Sequence, residues 1–98
     1  PQVADMALQA EGTEWAIAVG VVGKDLVFSV RNVGYVRAAG EVVRAVVDGL
    51  GVGGGHRTMA KGIIPLAAFR AVYGRADRRQ VHAALYDAFM RAIHREEG

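Results

Sequence analysis

The sequence of 98 residues contains no cysteine. Disulfide scaffolds, thiolate zinc sites and thiol nucleophiles are therefore excluded, and we expect a cytoplasmic protein. The sequence also lacks a long hydrophobic run. Its longest apolar stretch, residues 15–23, is far shorter than the roughly 20 residues of a membrane-spanning helix, and no signal-peptide pattern opens the chain. We therefore expect no membrane partner.

Length and charge narrow the class of protein further. A chain of 98 residues, 52% hydrophobic and 22% charged, corresponds to one small globular domain. The net charge of +2 is too small to indicate nonspecific nucleic-acid binding. The bases are concentrated between residues 31 and 61, beside the glycines, which favours an anionic ligand there; a solvated basic face is the alternative interpretation. The chain opens at Pro1 without an initiator methionine, which predicts a fragment of a longer protein.

Hydrophobic periodicity predicts a helix and then a β-hairpin in the first third of the chain. Apolar residues at helical spacing in 3–10 predict a short opening helix. Alternating residues in 15–22 and 26–31, separated by a turn with glycine, predict two paired strands. Because side chains alternate along a strand, we expect Ser29 and Arg31 to project from one face, opposite the apolar residues.

The rest of the chain predicts further helices and one more strand. Residues 36–50 carry a helical pattern, within which Gly40 indicates close packing. A strand is expected over 58–64, and Asp77 is expected to cap a helix over 77–95 through a capping box with Gln80. The alternation of helices with strands along the chain predicts an α/β fold, with a mixed β-sheet of about four to five strands and flanking helices.

A glycine-rich run, residues 51–55, precedes His56 and Arg57 and is predicted to be a loop. Three consecutive glycines let bare backbone amides approach a ligand, and successive amides can form an anion-binding concavity. His56 adds a donor, and Arg57 can hold a phosphate through two hydrogen bonds. Composition alone leaves a flexible turn as the alternative; the neighbouring bases and the strand-end arginine favour a ligand loop.

These segments together resemble a known family. The resemblance is carried by Phe28-Ser29-Val30-Arg31-Asn32 and, further along, by Gly53-Gly54-Gly55-His56 and Met59-Ala60. This pattern is similar to the DHHA1 domain, the C-terminal substrate-binding lobe of DHH phosphoesterases such as oligoribonucleases and exopolyphosphatase-like proteins. It spans roughly residues 3–65, and it departs from the family's Ala-Ala-Gly at Met59, Ala60 and Lys61, which leaves the substrate's identity open.

The resemblance implies a single DHHA1-like domain over 1–98 that binds a phosphorylated nucleotide or a short oligonucleotide. In the family, the glycine-histidine loop and the strand-end arginine hold the phosphate. By resemblance those roles fall to Gly53, Gly54, Gly55, His56 and Arg31, with Ser29 in support. Arg57 is added to this predicted set because its guanidinium can hold a phosphate through two hydrogen bonds.

The resemblance also implies that hydrolysis takes place elsewhere. In the family, metal ions, typically manganese, are held by an N-terminal DHH lobe that includes an Asp-His-His motif. This chain has no such motif, and its histidines are His56, His82 and His94. We therefore expect no catalytic residue, metal or cofactor within the 98 residues. The expected partners are the phosphorylated ligand, a catalytic lobe outside this chain and, as an open case, a second copy in a homodimer.

Two other functions are consistent with the sequence. One is a noncatalytic RNA-binding or dimerisation module like the C-terminal domain of alanyl-tRNA synthetases, whose glycine loop usually continues with a basic residue where His56 stands. The other is a structural domain in which the glycines serve only backbone geometry. We also expect Trp15 to serve core or edge packing, with His82 and His94 at the surface.

Overall fold

The computed structural model describes residues 2–10, 13–33 and 38–94. The strands in these residues are β1 (Gln2–Ala10), β2 (Thr13–Val22), β3 (Asp25–Val33), β4 (Val52–Gly55) and β5 (Met59–Pro65). The helices are α1 (Ala39–Val47), α2 (Leu66–Tyr73) and α3 (Arg78–Ile93). The sheet order is β1-β2-β3-β5-β4, and each neighbouring pair is antiparallel. The predicted α/β class, a sheet of four to five strands with flanking helices, is confirmed.

One face of the sheet is covered by helices and the other face is open. The buried residues of the central strands are Trp15, Ile17 and Val19 in β2 and Leu26, Phe28 and Val30 in β3. Apolar side chains of α1 and α3 complete this core, and Phe28 meets Phe89 edge to face, with ring centroids 5.6 Å apart. The opposite side of β2 and β3 carries small and polar residues, together with Val22 and Val27, and these remain accessible. The molecule therefore has two layers, with a ligand-accessible sheet surface.

The first element is a strand, so the predicted opening helix is wrong. β1 pairs antiparallel with β2, with Met6 opposite Ile17 and Leu8 opposite Trp15. Met6 is buried and Ala7 is exposed, which is the alternation of a strand. Alanine, methionine, leucine and glutamine all favour helices, but pairing along the edge of β2 overrides that weak local preference.

The predicted hairpin of β2 and β3 is confirmed. Gly23, in its turn, has a φ of 61°, a left-handed conformation that glycine adopts without steric cost. Ser29 and Arg31 are exposed on the open face, while the residues between and before them are buried. The sequence alternation therefore placed both polar side chains correctly.

The predicted C-terminal helix is confirmed as α3, whose apolar stripe Val81, Leu85, Phe89 and Ile93 is buried. The Asp77 side chain accepts a hydrogen bond from the Gln80 amide at 2.9 Å, as expected for a cap. The Gln80 side chain does not close the predicted capping box and instead donates to the Tyr73 carbonyl at 3.1 Å. None of the helices in the described residues is long and apolar enough to cross a membrane.

Candidate functional site

The glycine run forms the edge strand β4, so its prediction as a loop is wrong. Gly54 lies opposite Lys61 and Gly55 lies opposite Ala60 on β5. None of the three consecutive glycines, 53–55, has a positive φ. Alternate amides of an antiparallel strand point to the partner strand, so neighbouring amides do not converge on one point. The predicted concavity of successive amides is therefore not formed.

Two of the glycines are required by close packing. An ideal Cβ on Gly55 would lie 2.5 Å from the Cα of Ala60, and one on Gly53 would lie 2.7 Å from a side-chain carbon of α1. At Gly54 the nearest atom to such a Cβ is Nη1 of Arg44, at 3.5 Å, which is an ordinary contact. Packing therefore explains Gly53 and Gly55, while Gly54 has room for a methyl group.

The turn after β4 caps the N-terminus of α1. The Ala39 amide donates to the Arg57 carbonyl at 2.8 Å, and the Gly40 amide donates to the His56 carbonyl at 2.9 Å. The N-cap residue of α1 is an alanine, which has no side-chain acceptor for these amides. Backbone carbonyls of the turn therefore replace the usual side-chain cap and fix the backbone of His56.

The close packing predicted at Gly40 is confirmed. An ideal Cβ on Gly40 would lie 2.5 Å from the carbonyl oxygen of Gly55. The first turn of α1 therefore rests directly on the backbone of β4. The His56 backbone amide donates a hydrogen bond to the Met59 carbonyl at 2.7 Å. This bond and the contacts with α1 hold the backbone of His56 in place.

A cavity of about 670 Å³ lies on the open face of the sheet. Five of the seven predicted site residues line it: Ser29, Arg31, Gly54, Gly55 and His56. Its volume falls within the range of small-molecule sites, about 300 to 1,000 Å³. Gly53 faces α1 and Arg57 lies in the exposed turn, so neither belongs to its lining. The structure therefore brings together most of the predicted set, on strands and not around a glycine loop.

Strand register determines which side chains are neighbours in this cavity. Arg31 lies between Ala16 on β2 and Met59 on β5. In the next row, Ser29 lies opposite Lys61 on β5. Met59 and Lys61 are exposed residues of the cavity that were not predicted from the sequence. The alternation of side chains along β5 predicts that Met59 and Lys61 share a face. That they lie opposite Arg31 and Ser29 depends on how β5 pairs with β3, which the sequence does not show.

The cavity carries positive charge. Arg31 and Lys61 are exposed, and neither forms an ion pair with any carboxylate in the described residues. The described residues that line the cavity include no aspartate or glutamate. Ala16 and Ala18, two small residues of β2, line the same cavity. The arrangement is suited to an anionic group that contacts the sheet surface.

The other two histidines lie on the surface of α3, as expected. His82 is exposed and its ring stacks on Tyr86, with centroids 6.5 Å apart. His94 is exposed and its Nδ1 lies 3.0 Å from the Met90 carbonyl. Within the described residues, no group of three or more His, Cys, Asp or Glu side chains could hold a metal ion.

Comparison with known proteins finds a longer relative of this chain. An uncharacterized protein of Methanocaldococcus jannaschii is 32% identical to this chain over 94 residues. The match covers 95% of this chain but 19% of the relative, so the chain spans about a fifth of that protein's length. No family model matches the sequence, and no solved structure matches it. The activity and partners of any longer protein are therefore matters of proposal.

Proposed function

We propose that this domain binds the phosphate group of a phosphorylated nucleotide or short oligonucleotide on the open face of its sheet. It would serve as the substrate-binding part of a longer DHH-type phosphoesterase. The single observation that supports this proposal most is the cavity in which Ser29, Arg31 and His56 meet beside bare glycine backbone. These residue types are the ones that bind phosphate oxygens in proteins.

Each polar residue has a role that follows from its position. Arg31 stands on a central strand, so its guanidinium can offer two parallel N–H donors from a rigid base. The Ser29 hydroxyl, two residues away on the same face, can donate a further hydrogen bond. The His56 imidazole enters from the turn beside β4, whose backbone is tied to α1. The three groups therefore approach a ligand from two sides.

The glycines contribute by their small size. Gly54 and Gly55 line the cavity without side chains, so a ligand can lie against the strand backbone. This replaces the amide concavity predicted from the sequence. Under this proposal, hydrolysis and the manganese ions that it requires in DHH enzymes belong to another part of the longer protein. We propose a cytoplasmic location, since the chain has no cysteine and the proposed ligand is an intracellular metabolite or nucleic acid.

Titration of the isotope-labelled chain with AMP, followed by NMR, tests the proposal. We expect chemical-shift changes at Ser29, Arg31 and His56, and smaller changes with adenosine, which lacks the phosphate. Arg31→Gln is expected to weaken AMP binding by roughly tenfold to a hundredfold, the typical effect of losing charge-assisted hydrogen bonds. Arg57→Gln is the matched control, because Arg57 is exposed and lies outside the cavity lining. The affinity of this variant for AMP should stay within about twofold of that of the unsubstituted chain.

Two results would contradict this proposal. One is the absence of shift changes on the open face at millimolar AMP. The other is an equal loss of affinity in Arg31→Gln and Arg57→Gln, which would indicate only a general effect of net charge. A tRNA fragment that binds with steep salt dependence while AMP does not bind would instead support the RNA-binding alternative.

A further inference from the structure

The cation pair formed by Arg31 and Lys61 is the feature of the open face that the proposed function does not fully use. Arg31 lies opposite Met59, and Lys61 is two residues further along the same strand, β5. The two cations are therefore diagonal neighbours on one face of an antiparallel pair, with a separation near the sheet of about 7 Å. At this separation each long side chain can reach the same small ligand.

The surroundings of Lys61 leave its ammonium group available to a ligand. Its two cross-strand neighbours are Ser29 and Gly54, a hydroxyl and a bare backbone. It has no carboxylate partner among the described residues, and Arg31 has none either. The two like charges, held on adjacent strands, repel each other in the unliganded sheet. A ligand with more than one negative charge would remove that repulsion.

Lys61 also connects the main cavity to a neighbouring depression. A second cavity of about 430 Å³ is lined by Lys61, Ser29 and Ala18, which also line the first, and by apolar residues of β2 and β3. Lys61 therefore stands between a basic region and an apolar one. An anionic group bound by Lys61 and Arg31 would therefore be one end of its ligand. The rest of the ligand would lie over the apolar region.

Phosphate groups differ in the charge they present. A phosphodiester carries one negative charge, whereas a terminal phosphate carries about −1.5 to −2 at pH 7 on three oxygens. A guanidinium commonly holds two oxygens, and an ammonium group acts as a point charge on a third. Resting on the proposed phosphate-binding function, we infer that the cavity selects a terminal phosphomonoester over an internal phosphodiester and that Lys61 provides this selectivity.

The test compares AMP with its methyl ester, which keeps the nucleoside and loses one charge. Affinities of the chain for both ligands are measured by calorimetry at one low ionic strength. We expect the unsubstituted chain to bind AMP about fivefold to tenfold more tightly than the methyl ester, as expected for one added charge contact near the surface. Lys61→Gln should bind the two ligands equally, and Lys61→Arg should keep the preference for AMP.

Lys24→Gln is the matched control, because Lys24 is exposed in the turn before β3 and its loss changes the net charge equally. It should leave the preference for AMP unchanged. Equal binding of AMP and methyl ester by the unsubstituted chain would overturn the selectivity while leaving phosphate binding intact. An equal weakening of both ligands in Lys61→Gln would overturn the role of Lys61. Absence of binding by either ligand would overturn the proposed function itself, and this inference with it.

Discussion

At the scale of single residues, the glycines near the site have different roles although the sequence presents them alike. Gly40 and Gly55 lie where α1 meets β4, and a Cβ at either position would overlap backbone atoms. Gly54, between two glycines that packing requires, lines the cavity, and a methyl group there would meet only the Arg44 side chain at an ordinary contact distance. The requirement for glycine is therefore set by the neighbouring backbone and cannot be read from the glycine run itself.

This difference predicts the stability of two matched variants. Gly40→Ala introduces a clash with the Gly55 carbonyl, which we expect to cost about 1 to 3 kcal/mol, against a gain in helix propensity of roughly 0.5 to 1 kcal/mol. The net result should be a loss of up to about 2.5 kcal/mol in the free energy of unfolding. Gly54→Ala meets no such clash and should leave the free energy of unfolding unchanged or raise it by up to about 1 kcal/mol. Urea unfolding monitored by fluorescence of the buried Trp15 measures both, and equal losses would contradict the packing argument.

At the scale of elements, α3 closes the core, and the Asp77 side chain caps its N-terminus. Asp77→Ala removes the acceptor for the Gln80 amide, and we expect a loss of about 1 kcal/mol in the free energy of unfolding. Asp77→Asn keeps an acceptor at the same position and should retain most of the stability. Both variants lose the exposed ion pair with Arg75, at 3.4 Å, so this pair cannot account for a difference between them. Equal stability of the two variants in urea unfolding would show that the cap contributes nothing measurable.

The elements also show which parts of the fold were accessible from the sequence. The hairpin of β2 and β3 and the helix α3 were predicted because their turn, cap and periodicity lie within the segments themselves. β1 and β4 were wrongly predicted as a helix and a loop, because their conformation depends on pairing with distant strands. The residues of the candidate site likewise fall into those that local pattern predicts and those that strand pairing determines. Alternation placed Ser29 and Arg31 on one face, whereas the neighbourhood of Lys61 follows from the register between β3 and β5.

At the scale of the whole molecule, the open face and the helical layer are joined by the turn from His56 to Met59. Its carbonyls accept hydrogen bonds from Ala39 and Gly40 of α1. Its Thr58 carbonyl accepts a hydrogen bond from the Asn32 amide of β3 at 3.0 Å. Opening of this turn would therefore release the first turn of α1 on one side and the end of a central strand on the other. A ligand that holds the His56 side chain on the open face should oppose that opening.

This coupling predicts a local pattern of amide hydrogen exchange. With AMP at about 100 times its dissociation constant, exchange of the Ala39 and Gly40 amides should slow by up to about 100-fold, because the opened turn cannot hold the ligand. The Leu66 amide, which donates to the Lys24 carbonyl at 2.9 Å at the far end of the sheet, serves as the internal control and should change much less. Arg31→Gln at the same AMP concentration should reduce the slowing to between about twofold and tenfold, because its affinity for AMP is lower. If AMP slowed exchange equally at Ala39, Gly40 and Leu66, the ligand would be stabilising the fold as a whole, and the turn would carry no specific coupling between the two layers.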